Sequence, residues 1–402
     1  MLRALPLAFV LAGLALYTVL AGADFGAGFW QLLAGRGQHG ARIREHAHRS
    51  MGPVWEANHV WLIFVLTVFW TAYPRAFGSI ASTLAIPLFA AAVGIIFRGA
   101  AYAFSEGAAS PRESGVIDTI FSVSSILTPF ALGAAIGAIA INRVPVGNAA
   151  GHLFSSWLNP TAIFIGVLAV SSSAYLAAAY LAADAARLEQ SELANEFRRR
   201  ALAAGITAGC IALVGVFLVR AEYHQLYSSL LSGPALAGVA VSFISGLATL
   251  VLVYLRRFDA ARFGAAAAVA AIIAAWALAR WPTILPGLTV DRAAAGHDTL
   301  VWLVVVVLAG GAILFPSLGI LFWLSVTGRF QASETVPSEL VPVGSRGFRP
   351  RRLARLAVAG FVAGIGLLNF ADAAWAHAVG IFCLLGSIAA AFLVIVPEAL
   401  AD

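Results

Sequence analysis

Long apolar runs, interrupted at short intervals by turns carrying Arg, Pro or Gly, set the pattern of this chain. A membrane crossing takes about 20 apolar residues. On that measure there are eleven spans: 5–33, 54–73, 77–103, 116–141, 161–183, 201–219, 235–255, 263–281, 299–326, 353–370 and 376–397. The eighth is short and the tenth barely long enough. Continuous hydrophobicity predicts helices, since strands of a membrane barrel alternate apolar and polar positions over about ten residues. The predicted fold is therefore all-α, a polytopic transmembrane helical bundle. Tyr73-Pro-Arg-Ala-Phe77 reads as a tight turn between the second and third spans, and Asn159-Pro160 as the cap and first residue of the fifth. The segment 327–352 is the longest stretch outside the spans, with a basic end from Arg346 to Arg352. The expected organisation is a nine-span domain over 1–330, a cytoplasmic linker over 331–352 and an added transmembrane hairpin over 353–402.

Composition agrees with this pattern: 61% of the 402 residues are hydrophobic and only 11% charged, which excludes an ordinary soluble domain. All 25 basic residues are Arg. Their placement orients the bundle. Nineteen lie in one set of loops and six (Arg3, Arg75, Arg143, Arg220, Arg280 and Arg292) in the other. The positive-inside rule puts the first set in the cytoplasm, so the N-terminus is expected outside and the C-terminus inside. The net charge of +6 is thus a matter of topology and does not point to nucleic acid. Cys210 and Cys383 sit in apolar runs, which argues against a disulfide framework or a Cys metal site. No nucleotide-binding Gly loop is present. The first apolar run outlasts a signal peptide and reads as a permanent helix.

Ionisable residues inside spans cost roughly 2.5–3.5 kcal/mol each by insertion scales and mark functional sites by default. The stretch Met51-Gly-Pro-Val-Trp-Glu-Ala-Asn-His-Val-Trp61 follows a basic, His-bearing loop (Arg42, Arg44, His46, His48, Arg49) and enters the second span, with Pro53 expected in the first helical turn. Asp24 lies about 27 Å along the first helix from Pro6, in its cytoplasmic third. Glu56, Arg98 and Asp118 are expected at the same depth on the next three helices. Three acids and one guanidinium in one layer suit two roles, a structural ion-pair network or a hydrated proton entry. Asp118 is the weakest member, because a helix dipole favours an acid in a first turn anyway. His59 is one turn beyond Glu56, within the charged cluster. His152, His224, His297 and His377 show no ligand spacing to another His or Cys, so no metal or haem site is expected on this chain. Ten Trp, several near span ends, fit an aromatic belt.

Two of these stretches carry a resemblance. Ala23-Asp-Phe-Gly-Ala-Gly28 and Gly52-Pro-Val-Trp-Glu-Ala-Asn-His-Val-Trp-Leu62 are similar to the helix 1 and helix 2 motifs of subunit II of the cytochrome bd quinol oxidases. Phe97-Arg98, Pro129 and Leu158-Asn-Pro160 match too, and the likeness extends topologically over about residues 5–330. The chain resembles a divergent member: Glu56 stands for the family's usual Asp and Ala57 for its Gly, a bulky run follows (Phe64 to Trp70), and the last two spans look like an addition. The resemblance implies a multi-pass protein of the bacterial plasma membrane, inactive alone as part of a quinol:oxygen oxidoreductase. Asp24 and Glu56 would belong to a proton route from the cytoplasm. Trp55, Asn58, His59, Trp61, Arg98 and Asp118 would serve structure or the interface with subunit I. The b- and d-type haems and the quinol site would reside in that partner, with a structural quinone possible on this chain. Two rival classes are a proton-coupled transporter, which predicts broken helices in matching halves, and a purely structural scaffold.

Overall fold

Helix α1, Leu5–Leu32, runs 28 residues without a break and forms the hub of the larger part of the molecule. In this computed structural model residues 1–35, 37–104, 111–326, 350–371 and 373–395 are described. The side chains of 52–53, 55–57, 103, 111–114, 318, 321–326, 350–354, 368–370, 374, 388–389 and 391–395 are not. Two compact units divide at Ser317/Leu318.

In the first unit α1 packs against α2 (Gln38–Ala72), α5 (Pro111–Ala140), α6 (Pro160–Arg187) and α10 (Phe258–Arg280). Between these lie α3 (Pro74–Thr83), α4 (Ala85–Phe104), α7 (Ser191–Glu222), α8 (His224–Leu230) and α9 (Gly233–Tyr254). A two-stranded antiparallel hairpin, β1 (Thr283–Leu285) and β2 (Leu288–Thr289), turns at Gly287, whose φ of 75° favours glycine. It precedes the one-turn α11 (Val290–Ala293) and the long α12 (His297–Val326). The second unit contains α13 (Pro350–Phe370) and α14 (Ala374–Ile395), an antiparallel pair in which Ser387 Oγ donates to the Ala357 carbonyl at 2.6 Å.

Close approach of α1 to α6 follows from small residues on both sides. Lipid supplies no hydrophobic drive between helices, so association depends on backbone approach and polar contacts. On α6, Ala174 and Ala177 to Ala179 are buried, as are Ala182, Ala183 and Ala185. Gly26 lies so close to the Ser173 carbonyl that a methyl group there has no room. Trp30 Nε1 donates to the Ala174 carbonyl at 2.8 Å and locks the register. The expected cap of α6 is present: Asn159 Oδ1 accepts from the Ala162 N–H at 2.9 Å, with Pro160 next in the first turn.

Three local expectations are corrected. The basic stretch 38–50 is the first third of α2, not a loop. Its apolar positions Ile43, Ala47 and Met51 recur every fourth residue and are buried in the same core as α6 and α7. That stripe overrides the local charge. Pro53 consequently lies within α2 and not in its first turn. The third span, expected over 77–103, is two helices. α3 leaves the end of α2 at 120°, and the chain breaks at Leu84 before α4 begins. Pro87, which has no N–H to bond the Thr83 carbonyl, falls in the first turn of α4, where that loss is tolerated.

Among the described residues eight helices are long and apolar enough to cross a membrane: α1, most of α4 and α5, α6, α7, α9, α10 and the first part of α12. The bent α2–α3 pair makes a ninth if counted as one span, and Arg355–Leu367 and Trp375–Ser387 are apolar but shorter. The sequence-based expectation was eleven. The linker proposed over 331–352 falls outside the described residues up to 349.

Candidate functional site

The glycine-rich turns of α1 make a cradle for one buried ion pair. Asp24 and Arg98 are 2% and 1% exposed, and both lie on helices that cross the bundle. Arg98 Nε donates to Asp24 Oδ2 at 3.2 Å, and Nη2 donates to both Asp24 Oδ1 and the Asp24 carbonyl, the latter at 2.8 Å. Asn58 on α2 donates from Nδ2 to Asp24 Oδ2 at 3.1 Å. Arg98 Nη1 donates to Ser125 Oγ on α5, and that hydroxyl donates on to the Phe121 carbonyl at 2.6 Å. The guanidinium carbon stands 4.1 Å from the Phe121 ring centre and 5.1 Å from that of Phe25. Four helices, α1, α2, α4 and α5, are thus joined through one guanidinium and one carboxylate.

Each contact answers a physical demand. A buried guanidinium needs its donors satisfied and its charge balanced, because an unpaired charge in low dielectric costs several kcal/mol. The planar fork suits bidentate carboxylate contact, and its faces suit aromatic rings. Gly28, one turn beyond Asp24, has to be glycine: a Cβ there would collide with Ser125 Oγ and Arg98 Nη1. The helix 1 motif is therefore an acid flanked by two close approaches, Gly26 onto α6 and Gly28 onto the Arg98–Ser125 contact.

The residues singled out from sequence fare unequally. Asp24, Asn58 and Arg98 come together. Trp61 is buried on α2 and lies 6.1 Å from both the Phe64 and the Phe315 rings. His59 is half-buried one position past Asn58. The side chains of Trp55 and Glu56 lie outside those described, although the α2 backbone carries both. Asp118 is exposed on α5, about two turns before Ser125, and makes no ion pair with a described residue. It does not join the cluster. Ser125, Phe25 and Phe121 were not anticipated. The available signal was Ser122, Ser124, Ser125 and Thr128 inside an apolar span, all of them buried.

Among the described residues no three His, Cys, Asp or Glu side chains gather as a metal ion would require. Several histidines have one ring nitrogen engaged elsewhere: His46 Nε2 lies 3.0 Å from the Leu181 carbonyl, His377 Nε2 lies 2.7 Å from the Ala371 carbonyl, and His152 Nδ1 accepts from the Ser155 N–H at 3.2 Å.

A family model described as cytochrome bd terminal oxidase subunit II matches residues 2–325, the stretch that holds all of this cluster. The chain belongs to that family. Relatives by sequence include the putative cytochrome bd menaquinol oxidase subunit II of Bacillus subtilis, 25% identical over 244 residues, which are 57% of this chain and 65% of that protein. The cytochrome bd-I ubiquinol oxidase subunit 2 of Escherichia coli is 25% identical over 215 residues, 50% of this chain and 53% of that protein. The alignments thus span between about half and two thirds of the relatives' lengths. A chain of the bd oxidase from Geobacillus thermodenitrificans shares the fold, with a TM-score of 0.64 over 81% of this chain and 99% of that one, at 23% identity. The description of the matching family is that of an oxidase subunit and not of a transporter.

Proposed function

We propose that this chain is the haem-free subunit II of a cytochrome bd-type quinol oxidase in the bacterial plasma membrane. It pairs with a haem-bearing subunit I that oxidises quinol and reduces oxygen to water, and it contributes a proton route entered from the cytoplasm. The observation that carries this reading is the Asp24–Arg98–Asn58 cluster, built from the motif residues of a family member and sealed inside four helices. Electron transfer to oxygen is the work of the partner's haems. This chain's residues hold the bundle in register and keep polar groups at membrane depth where protons are needed. Asp24 and Glu56 line the route; Trp55, Asn58, His59, Trp61 and Arg98 brace it and the contact with subunit I.

Co-expression with and without the adjacent oxidase subunit tests the pairing. The chain purified alone is expected to show no haem in a reduced-minus-oxidised spectrum and to consume no oxygen, and the co-expressed pair to do both. A haem spectrum from the isolated chain defeats the proposal. The cytoplasmic assignment has its own check. Reporter fusions after Gln190 should be active only as cytoplasmic reporters, and fusions after Gly147 and Gly296 only as external ones. A cytoplasmic signal at Gly147 reverses the direction of the route.

A further inference from the structure

Helices α9 and α10 are joined by a tight turn that contains two arginines, Arg256 and Arg257. Two hydrogen bonds close the end of α9. The Arg256 N–H donates to the Val253 carbonyl at 3.2 Å, and the Arg257 N–H donates to the Leu252 carbonyl at 2.8 Å. Helices that end this way usually place a left-handed glycine at the first of those positions. Arg256 holds it instead, at a φ of 60°, although a side chain is disfavoured there. The positive-inside rule accounts for arginine in this loop, but it does not ask for one in left-handed backbone.

Two further guanidiniums flank the turn. Arg198 of α7 donates from Nε to the Val253 carbonyl at 3.1 Å and from Nη2 to the Tyr254 carbonyl at 2.8 Å, over the Tyr254 ring. Arg262 lies one turn into α10, and its Nε is buried without a hydrogen-bond partner. Little balances these four charges. Asp259 is bound by Arg187 at 2.8 Å and stands 4.0 Å from Arg262. Among the described residues Arg198, Arg256 and Arg257 form no ion pair, and the side chains of Arg256 and Arg257 are exposed.

The group that answers such a cluster carries negative charge and several acceptor oxygens. A phosphodiester has both, in a shape that suits planar guanidinium forks. Apolar side chains continue away from the turn on both helices: Val251, Tyr254 and Leu255 on α9 and Phe263 on α10, each more than half exposed. Those faces suit acyl chains, so the fitting anion is one attached to hydrocarbon at the bilayer edge. A zwitterionic headgroup brings its own ammonium into the cluster and fits less well.

We propose that the α9–α10 turn binds the headgroup of an anionic phospholipid, with the phosphate on Arg256, Arg257 and Arg262 and the acyl chains along the exposed faces of α9 and α10. Arg198 shapes the site and does not bind, because its donors are engaged on the end of α9. The bound lipid offsets the crowded charge and steadies the turn. The site belongs to this chain alone and depends neither on haem nor on the proton route.

The full-length chain, purified in detergent and stripped of lipid, tests this by thermal midpoint and by native mass spectrometry. Added phosphatidylglycerol should stay bound and raise the midpoint, and phosphatidylcholine should do neither. In Arg256→Gln/Arg257→Gln the affinity for phosphatidylglycerol should fall about 30-fold. The lipid-free midpoint of that variant should hold, since neither side chain has a partner to lose. Arg256→Gly separates binding from folding: the lipid-free midpoint should rise as the left-handed residue is relieved, while the gain from phosphatidylglycerol shrinks. Arg292→Gln removes an exposed, unpaired arginine beyond the far end of α10 and should respond to lipid as the wild type does. Equal responses to the two lipids overturn the proposal, as does an undiminished response in the double variant. An equal loss in Arg292→Gln overturns it too, because total charge then governs binding. Equal stabilisation by inorganic phosphate makes this a soluble-anion site and likewise defeats it.

Discussion

Arg98→Met destabilises the protein by about 3–5 kcal/mol, enough to prevent accumulation of a folded complex. The substitution keeps much of the volume but strands the Asp24 carboxylate, which is 2% exposed and retains only the Asn58 amide as a side-chain donor. Asp24→Leu does comparable damage by leaving a guanidinium with no counter-charge, only one hydroxyl, the backbone carbonyl of residue 24 and two ring faces. The double variant Asp24→Leu/Arg98→Met behaves differently. With both charges gone there is nothing left to neutralise, and replacing a buried pair by apolar groups is often neutral or better. The double variant should therefore recover most of the yield and melting temperature lost by either single change, while lacking oxidase turnover. The measurement is complex yield and thermal midpoint for the four proteins of the cycle. Single variants that melt with the wild type would show that the pair is not what joins the four helices.

Glu56→Gln is expected to assemble, keep the partner's haems and lose turnover, while Glu56→Asp keeps much of it. A group that relays protons has to titrate; Asp does and Gln does not. The geometry of Arg98 sharpens this test. Its Nε, Nη1 and Nη2 donors are already taken by Asp24 and Ser125, so removing the charge at position 56 does not strip the guanidinium of its partner. Haem content and oxygen consumption of the Gln variant are read side by side. Full haem with full activity ends the role of Glu56 in proton transfer. Loss of haem assigns it to structure instead.

Much of this arrangement was legible along the chain. The apolar runs demanded membrane helices because a backbone in lipid has to satisfy its own hydrogen bonds. Asp24, Asn58 and Arg98 stood out because polar groups at that depth are costly unless matched, and motif resemblance placed them in one family. The cap at Asn159-Pro160 is a local device, and local devices are readable from local sequence.

Other features depended on partners distant in the chain. The basic run 38–50 is helical because Ile43, Ala47 and Met51 meet a core formed by α6 and α7, well over a hundred residues away. Counting depth alone put Asp118 with the other acids, but depth leaves rotation about the helix axis open, and α5 turns it outward. That same rotation brings Ser125 and Phe121 to Arg98. The sequence by itself determined that charges would lie buried among membrane helices. Only tertiary packing decided which carboxylate meets the guanidinium, since a hydrogen bond is made within about 3 Å and that precision comes from the faces that neighbouring helices present.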